Sequence, residues 1–390
     1  MLREYTISTS HLRGNMFKKT LEQVVTYEAG KPIELVVREF GIKLSEIIKL
    51  GSNENPYGAP PRVIEMIQQN AHKASLYPDD SMFELKNALA SKFSVKSHNI
   101  IIGAGSDQIL EFCMHTLNHE NACVLMAKTT FAMYEVYAKI ANVEICKTPS
   151  DEHKLEEFES LYRATLERGK RVSAIFLCVP NNPLGECLDS ESVEQFIQKI
   201  NKDTLIIIDG AYQEFAAYKD RAKAFCVDKL IEKYENVIYL GTFSKAYGLG
   251  GMRVGYGIAD SQIIAMLYKV RAPFNITTLS LQAAITALQE QEFVDQCVEQ
   301  NAKEMVGYET FARENGFSFI PSYANFITLS REGVDSTHLC QWLLQKGLII
   351  RNLSSYGLNA FRITIGTKKQ NERVFELLKA YIVNHLSHHS

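Results

Sequence analysis

The sequence has little excess charge of either sign, and this excludes two classes of partner. Its 390 residues include 42 Lys and Arg against 45 Asp and Glu, which gives a formal net charge of −3. Proteins that bind nucleic acid or an anionic membrane through general electrostatic attraction carry an excess of positive charge. We therefore expect neither partner, and we expect any arginine cluster in this chain to be local.

Residues 1–15 lack an apolar core, and the eight cysteines lack a C-x-x-C pair. The first absence argues against a secretory signal and against a membrane span in this segment. Several cysteines lie inside apolar runs, as Cys178 does in residues 176–179. These features predict buried free thiols in a reducing cytoplasm.

No internal repeat, low-complexity tract or long linker interrupts the chain, and its length exceeds what one hydrophobic core usually serves. Strand and helix patterns alternate through the first two thirds, which predicts an α/β fold with a mostly parallel central sheet covered on both faces. Long helices and a smaller α+β pattern follow. We predict a large domain at 59–278 and a small domain formed by 16–58, with an N-terminal arm, together with 279–390.

One lysine lies where a predicted strand ends. An apolar run leads into residues 241–253, where Thr242 and Ser244 flank Lys245 and Arg253 comes last. Strand ends are where α/β proteins bind ligands. An amine there can form a Schiff base with an aldehyde, while the hydroxyls and the guanidinium can hold a phosphate. The competing interpretation is a surface lysine in a glycine-rich loop, because short motifs often match by accident.

A second segment predicts an anion site. The apolar residues 99–102 lead into a glycine turn at 103–105, and a helical pattern begins at Ser106 and Asp107. Unpaired amides and the positive end of the helix dipole would face a phosphate there. A dinucleotide fingerprint fails, because Gln108 occupies its third glycine position.

A buried carboxylate is predicted at the end of another strand. Asp209 follows the fully apolar run 205–208, which indicates a central strand. A carboxylate in that position costs free energy unless a cation pairs with it. The protonated ring nitrogen of a pyridoxal cofactor is such a cation. One helical crossover separates Asp209 from Lys245, so both can reach adjacent strand ends.

Four other residues are not explained by turn chemistry or by core packing. Asn182 lies in a Pro-Asn-Asn-Pro segment, and Tyr57 is an aromatic residue in the turn-rich segment 51–58, where it can contact something outside its own fold. Arg351 and Arg362 lie beside or inside apolar strand patterns, where an arginine needs an anion or a carboxylate. A structural salt bridge competes with ligand binding for each arginine.

The order and spacing of these motifs, from Tyr27 to Gly366, resemble the histidinol-phosphate aminotransferase branch of the fold-type I pyridoxal-phosphate enzymes. The resemblance covers nearly the whole chain and implies the fold-type I architecture with pyridoxal 5'-phosphate as cofactor. It implies that histidinol phosphate and 2-oxoglutarate are converted to imidazole acetol phosphate and glutamate, a step of histidine biosynthesis. It also implies a homodimer.

The resemblance assigns a role to each motif residue. Lys245 would attach the cofactor, Asp209 would pair with its ring nitrogen, and Tyr212, the third residue of the catalytic set, would bond the ring hydroxyl together with Asn182. The cofactor phosphate would be bound by Ser106, Asp107, Thr242, Ser244, Arg253 and, from the partner subunit of the dimer, Tyr57. The residues implied for substrate binding are Tyr27, Asn53, Arg351 and Arg362.

The sequence departs from the family pattern at two positions. Phe131 stands where many members carry a tyrosine that stacks on the cofactor ring, and stacking does not need the hydroxyl. Ala29 stands where a proline is usual, close to Tyr27.

Three other functions remain open at this point. A lyase of the same fold, such as a threonine-phosphate decarboxylase, shares the cofactor motifs. An aromatic amino-acid aminotransferase could use the same two arginines for a carboxylate. A non-catalytic binding protein is the third alternative, and the complete set of cofactor residues argues against it.

Overall fold

The computed structural model describes residues 18–24 and 32–386. Most of its strands form one large sheet, and the remainder form two small sheets. The strands in chain order are β1 (Ile48–Lys49), β2 (Ile100–Gly103), β3 (Ala122–Met126), β4 (Glu144–Lys147), β5 (Arg171–Cys178), β6 (Leu205–Asp209), β7 (Val237–Thr242), β8 (Gly255–Ala259), β9 (Ser318–Phe319), β10 (Phe326–Ser330), β11 (Leu348–Ile349), β12 (Arg351–Asn352) and β13 (Phe361–Thr364).

Helices separate most of the strands. They are α1 (Ile33–Phe40), α2 (Pro61–Asn70), α3 (Phe83–Phe93), α4 (Ser106–Thr116), α5 (Ala132–Ile140), α6 (Leu155–Glu167), α7 (Ser190–Ile197), α8 (Gln213–Lys219), α9 (Val227–Lys233), α10 (Ser261–Tyr268), α11 (Thr278–Leu288), α12 (Gln291–Glu314), α13 (Ser336–Leu344) and α14 (Lys368–Leu386). Local chemistry fixes several helix starts: Asp260, Thr277 and Asp335 each accept a hydrogen bond from a first-turn amide. Within the described ranges, no helix is long and apolar enough to cross a membrane.

The large sheet has the strand order β2-β8-β7-β6-β5-β3-β4. Strand β8 runs antiparallel to both of its neighbours, and the other neighbouring pairs are parallel. Every residue of β6 and β7 is buried, as expected for parallel strands covered by helices on both faces. The prediction of an α/β fold with a mostly parallel central sheet is confirmed.

A smaller α+β unit surrounds its own core. Strands β12-β13-β10-β9 form an antiparallel sheet, and β1 pairs with β11 in a parallel pair. Tyr308, Phe361 and Leu378 belong to this core, which α12, α13 and α14 cover. Helix α11 packs on α2 and α3, against the core of the large sheet. The domain boundaries at 59, 278 and 279 remain predictions.

The strand register brings several chain segments to one edge of the large sheet. Gly255 pairs with Gly103 on one side and with Thr242 on the other. Asp209 is the partner of Cys178 and of Leu240. The segments that follow β2, β6 and β7 and the segment that precedes β8 therefore meet at the carboxyl edge, where α/β sheets bind ligands.

Candidate active site

The candidate site is a cavity of about 310 Å³ at this edge, closed on one side by the smaller unit. Lys245 comes three residues after the end of β7, and its Nζ donates a hydrogen bond to the carbonyl of Ser52 at 3.3 Å. Burial, followed by repulsion from Arg362 and Arg253, lowers the pKa of Lys245 to about 7. A substantial fraction of the amine is therefore uncharged, and so nucleophilic, at neutral pH.

Asp209 ends β6 and is only 4% exposed. Its Oδ2 accepts a hydrogen bond from the Tyr134 hydroxyl at 2.7 Å, and its Oδ1 accepts one from the Ala211 amide at 3.2 Å. Burial raises the pKa of Asp209, and these two neutral donors oppose the rise. A cation placed beside the carboxylate would stabilise its charged form.

Glycines create a cup for an anion next to Lys245. At Gly105, which has φ +79°, an added Cβ would lie 2.5 Å from Nη2 of Arg253. At Gly255 an added Cβ would lie 2.2 Å from the backbone nitrogen of Ser106. Because both positions lack a side chain, the first turn of α4 and the guanidinium can approach each other closely.

Hydrogen bonds fix the rim of this cup. Arg253 donates from Nη1 to the Ser244 hydroxyl at 3.2 Å and from Nη2 to the Ala104 carbonyl at 3.4 Å. The Ser244 amide donates to the Thr242 hydroxyl at 3.1 Å. Hydroxyls, a guanidinium and a helix N-terminus together form a donor set that suits a phosphate.

Polar side chains from both units meet on the opposite wall. The Tyr212 hydroxyl accepts a hydrogen bond from Nδ2 of Asn53 at 2.9 Å. Arg362 donates to Oδ1 of Asn182 and, at 3.0 Å, to the carbonyl of Gly51. Burial raises the pKa of Tyr212. This wall links the segment after β1 of the smaller unit, β13 and the loops of the large sheet.

Two arginines lie side by side at the cavity. Arg351 and Arg362 are direct partners in the antiparallel pair β12–β13, and both line the cavity. A second cavity of about 460 Å³ shares Phe131, Arg351 and Tyr356 with the first. The two cavities adjoin at Arg351. The pair of arginines can therefore bind the anionic group of a substrate that extends from the first cavity towards the second.

The structure brings most of the predicted site residues together. The cavity is lined by Asn53, Ser106, Asp107, Phe131, Asn182, Asp209, Tyr212, Thr242, Ser244, Lys245, Arg253, Arg351 and Arg362. Tyr57 is 37% exposed and lies beside a separate cavity of about 10 Å³. Tyr27 lies outside the described residues. The roles of all these residues remain predictions.

Sequence reasoning missed Tyr134, which is fully buried behind Asp209. It follows Phe131 by three residues, a spacing that places two side chains on the same face of a helix. That spacing was a usable signal, because Phe131 was already expected at the cofactor ring.

The residues present fit pyridoxal phosphate. The glycine cup excludes side chains where a phosphate would lie, Asp209 offers a buried carboxylate for a ring cation, and Lys245 offers an amine of low pKa for an aldehyde. The phosphate, the ring nitrogen and the aldehyde of the cofactor thus each have a complementary group around one cavity.

Comparison with known proteins agrees with this chemistry. The sequence model of the aminotransferase class I and II family matches residues 45–378. A histidinol-phosphate aminotransferase of Helicobacter hepaticus is 71% identical over 370 residues, covering 95% of this chain and 100% of the relative. One from Wolinella succinogenes is 58% identical over 367 residues, covering 94% of this chain and 99% of the relative.

A solved structure shares the architecture. The histidinol-phosphate aminotransferase of Sinorhizobium meliloti, crystallised in complex with pyridoxal 5'-phosphate, superimposes with a TM-score of 0.82 at 25% sequence identity. The match covers 94% of this chain and 98% of the other.

Proposed function

Because this chain belongs to the class I and II aminotransferase family, we propose that it transfers the amino group of histidinol phosphate to 2-oxoglutarate with pyridoxal phosphate as cofactor. Imidazole acetol phosphate and glutamate are the products. The observation that carries the substrate assignment is the pairing of Arg351 with Arg362 beside the Lys245 cavity, since two adjacent guanidinium groups suit a doubly charged phosphate.

Residues around the Lys245 cavity are proposed to bind different parts of the cofactor. Lys245 would attach the aldehyde, and Asp209 would pair with the ring nitrogen. Phe131 would pack against the ring, and Tyr212 with Asn182 would bond the ring hydroxyl. The residues proposed for the phosphate are Ser106, Asp107, Thr242, Ser244, Arg253 and, from the partner subunit, Tyr57.

When bound, pyridoxal phosphate supplies an electron-accepting ring that makes the proton next to the substrate nitrogen acidic. Lys245, once the incoming substrate amine has displaced it from the aldehyde, would accept this proton at Nζ and return a proton later, for which its pKa of about 7 is suited. Asp209 would keep the ring nitrogen protonated. The hydrogen bond from Asn53 orients the Tyr212 hydroxyl, which would bond the ring hydroxyl of the cofactor.

The two arginines are proposed to bind the anionic groups of the substrates. Arg362 is buried and donates a hydrogen bond to Asn182, which is proposed to bond the ring hydroxyl of the cofactor. We assign Arg362 to the anionic group of both substrates. Arg351, at the junction of the two cavities, is assigned to the phosphate of histidinol phosphate. Asn53 and Tyr27 complete the proposed substrate contacts.

The proposed enzyme works as a homodimer in the cytoplasm. Tyr57 supports the dimer, because it is a partly exposed aromatic residue in a loop next to the cavity wall formed by Gly51 and Asn53. All eight cysteines carry free thiols, which supports a reducing compartment.

The test compares three substrates with purified protein. Histidinol phosphate with 2-oxoglutarate should give glutamate with a higher kcat/KM than phenylalanine, and threonine phosphate should release no carbon dioxide. Faster turnover of phenylalanine would replace the proposal by an aromatic aminotransferase, and decarboxylation of threonine phosphate by a lyase. Borohydride should fix the cofactor to the wild-type chain and leave Lys245→Ala unlabelled.

A further inference from the structure

A buried tyrosine lies directly behind the candidate carboxylate. Tyr134 belongs to α5 and has no exposed surface. Its ring stacks on Phe176 with centroids 4.7 Å apart and forms a T-shaped pair with Phe131 at 5.6 Å. Packing on two sides fixes the ring, so the direction of its hydroxyl is fixed as well.

That hydroxyl makes the shorter of the two hydrogen bonds to Asp209. The Tyr134 oxygen is 2.7 Å from Oδ2, whereas the Ala211 amide is 3.2 Å from Oδ1. Each carboxylate oxygen thus has one neutral donor. Burial raises the pKa of Asp209, and among the groups that oppose this rise the Tyr134 hydroxyl acts most strongly.

We propose that Tyr134 is a positioning residue, whose hydroxyl fixes the Asp209 carboxylate in the orientation and charge state that hold the ring nitrogen of the cofactor. The proposal rests on the function proposed above. Helix α5 begins directly after Phe131, so its first turn would present both the ring-packing residue and the residue that orients the carboxylate. A hydrogen bond to a charged acceptor contributes more than a neutral one, which sets the size of the effect.

The experiment measures how fast the full-length holoenzyme releases pyridoxal phosphate. Tyr134→Phe keeps the ring and its packing and removes only the hydroxyl. It should release the cofactor roughly ten- to a hundredfold faster than wild type, because one hydrogen bond to the carboxylate is lost.

A matched control is available in the smaller unit. Tyr308 is also fully buried, and its hydroxyl donates to Oδ1 of Asn371 at 2.9 Å. Tyr308→Phe should lower the melting temperature to a similar extent and leave cofactor release unchanged. This control separates a general loss of stability from an effect at Asp209.

A cofactor analogue with a carbon atom in place of the ring nitrogen separates positioning from packing. Wild type and Tyr134→Phe should release this analogue at equal rates, because the analogue offers Asp209 no cation. Faster release of both the analogue and pyridoxal phosphate by Tyr134→Phe would overturn the proposal, as would release of pyridoxal phosphate at the wild-type rate. A wild-type protein that binds no pyridoxal phosphate would instead refute the proposed function itself.

Discussion

The two arginines beside the cavity should differ in function although they are direct strand partners. Arg362 is 7% exposed, donates to Asn182 and Gly51, and lies over the ring of Phe326 at 5.0 Å. Arg351 is half-buried and lines both cavities. We therefore expect substitution at Arg351 to weaken mainly substrate binding, and substitution at Arg362 also to disturb the hydrogen-bonded wall that Arg362 forms with Asn182 and Gly51.

On the proposed assignment, Arg351→Ala would remove one charge-assisted hydrogen bond to the substrate phosphate. Such a bond contributes about 1.5–3 kcal/mol, which lowers kcat/KM for histidinol phosphate roughly ten- to a hundredfold. Phenylalanine has no phosphate, so its kcat/KM should not change. Arg362→Ala should lower kcat/KM for both substrates, because both are anionic at this position, and should release the cofactor faster because Asn182 loses its partner.

The assay is steady-state kinetics with both amino donors, together with cofactor release from each variant. Arg373→Ala serves as the control, since Arg373 is an exposed arginine of the same unit that pairs with Glu376. Equal losses for phenylalanine and histidinol phosphate in Arg351→Ala would refute the division of roles. A normal rate for phenylalanine in Arg362→Ala would refute it as well.

Three further predictions test the site from other directions. The rate at which the protein binds pyridoxal phosphate should fall about tenfold for each pH unit below about 7, because Lys245 becomes protonated there. Stopped-flow absorbance measures this rate, and a constant rate from pH 6 to 9 would contradict the lowered pKa of Lys245. Gly255→Ala should abolish cofactor retention, because its Cβ would lie 2.2 Å from the backbone nitrogen of Ser106. Gly251→Ala is the control and should retain the cofactor, because a Cβ there has nothing within 4 Å. Absorbance of the bound cofactor after dialysis compares the two variants. Mixing Tyr57→Phe with Lys245→Ala subunits should give a heterodimer with one site free of both changes, so the mixture should be more active than the two unmixed variants together; a strictly monomeric protein that is fully active on dilution would refute the proposed dimer.

The fold could be predicted because its signals are local. Apolar runs such as 205–208 predicted buried parallel strands, and the residues after each run fell at the carboxyl edge for a general topological reason. Lys245 and Asp209 therefore met in the structure as their positions after strands indicated. Arg351 and Arg362 were recognised by polarity in apolar surroundings, although their direct pairing required the register of β12 and β13.

Contacts between distant segments could not be predicted. The hydrogen bond from Asn53 to Tyr212 joins residues 159 positions apart, and no local pattern marks it. Tyr134 belongs to an amphipathic helix, where an aromatic residue usually means core packing. Its spacing from Phe131 indicates a shared helix face, but its contact with Asp209 depends on where β6 ends relative to α5. The approach of Arg253 to Gly105 likewise depends on β8 returning between β2 and β7.

The two central ionisable groups have pKa values shifted in opposite directions, and both shifts favour the uncharged form. The pKa of Asp209 is raised above its ordinary value of 3.8, so the folded protein binds the carboxyl proton more tightly than the unfolded chain does. Stability therefore decreases as the pH rises from 3.8 to the raised pKa of the folded state. The pKa of Lys245 is lowered from 10.5 to about 7, so the unfolded chain keeps this proton longer, and stability increases as pH rises from 7 to 10.5. At neutral pH both groups therefore oppose folding.

A ligand with complementary groups reverses both costs. A protonated ring nitrogen beside Asp209 stabilises the carboxylate, and an aldehyde binds the amine of Lys245 in the uncharged form that burial favours. The free energy that folding loses at these two side chains is then recovered on binding, which increases the stability of the complex. The same burial that costs stability makes Lys245 a base near neutral pH, so the two roles proposed for Lys245, attachment of the cofactor and proton transfer, have one physical origin.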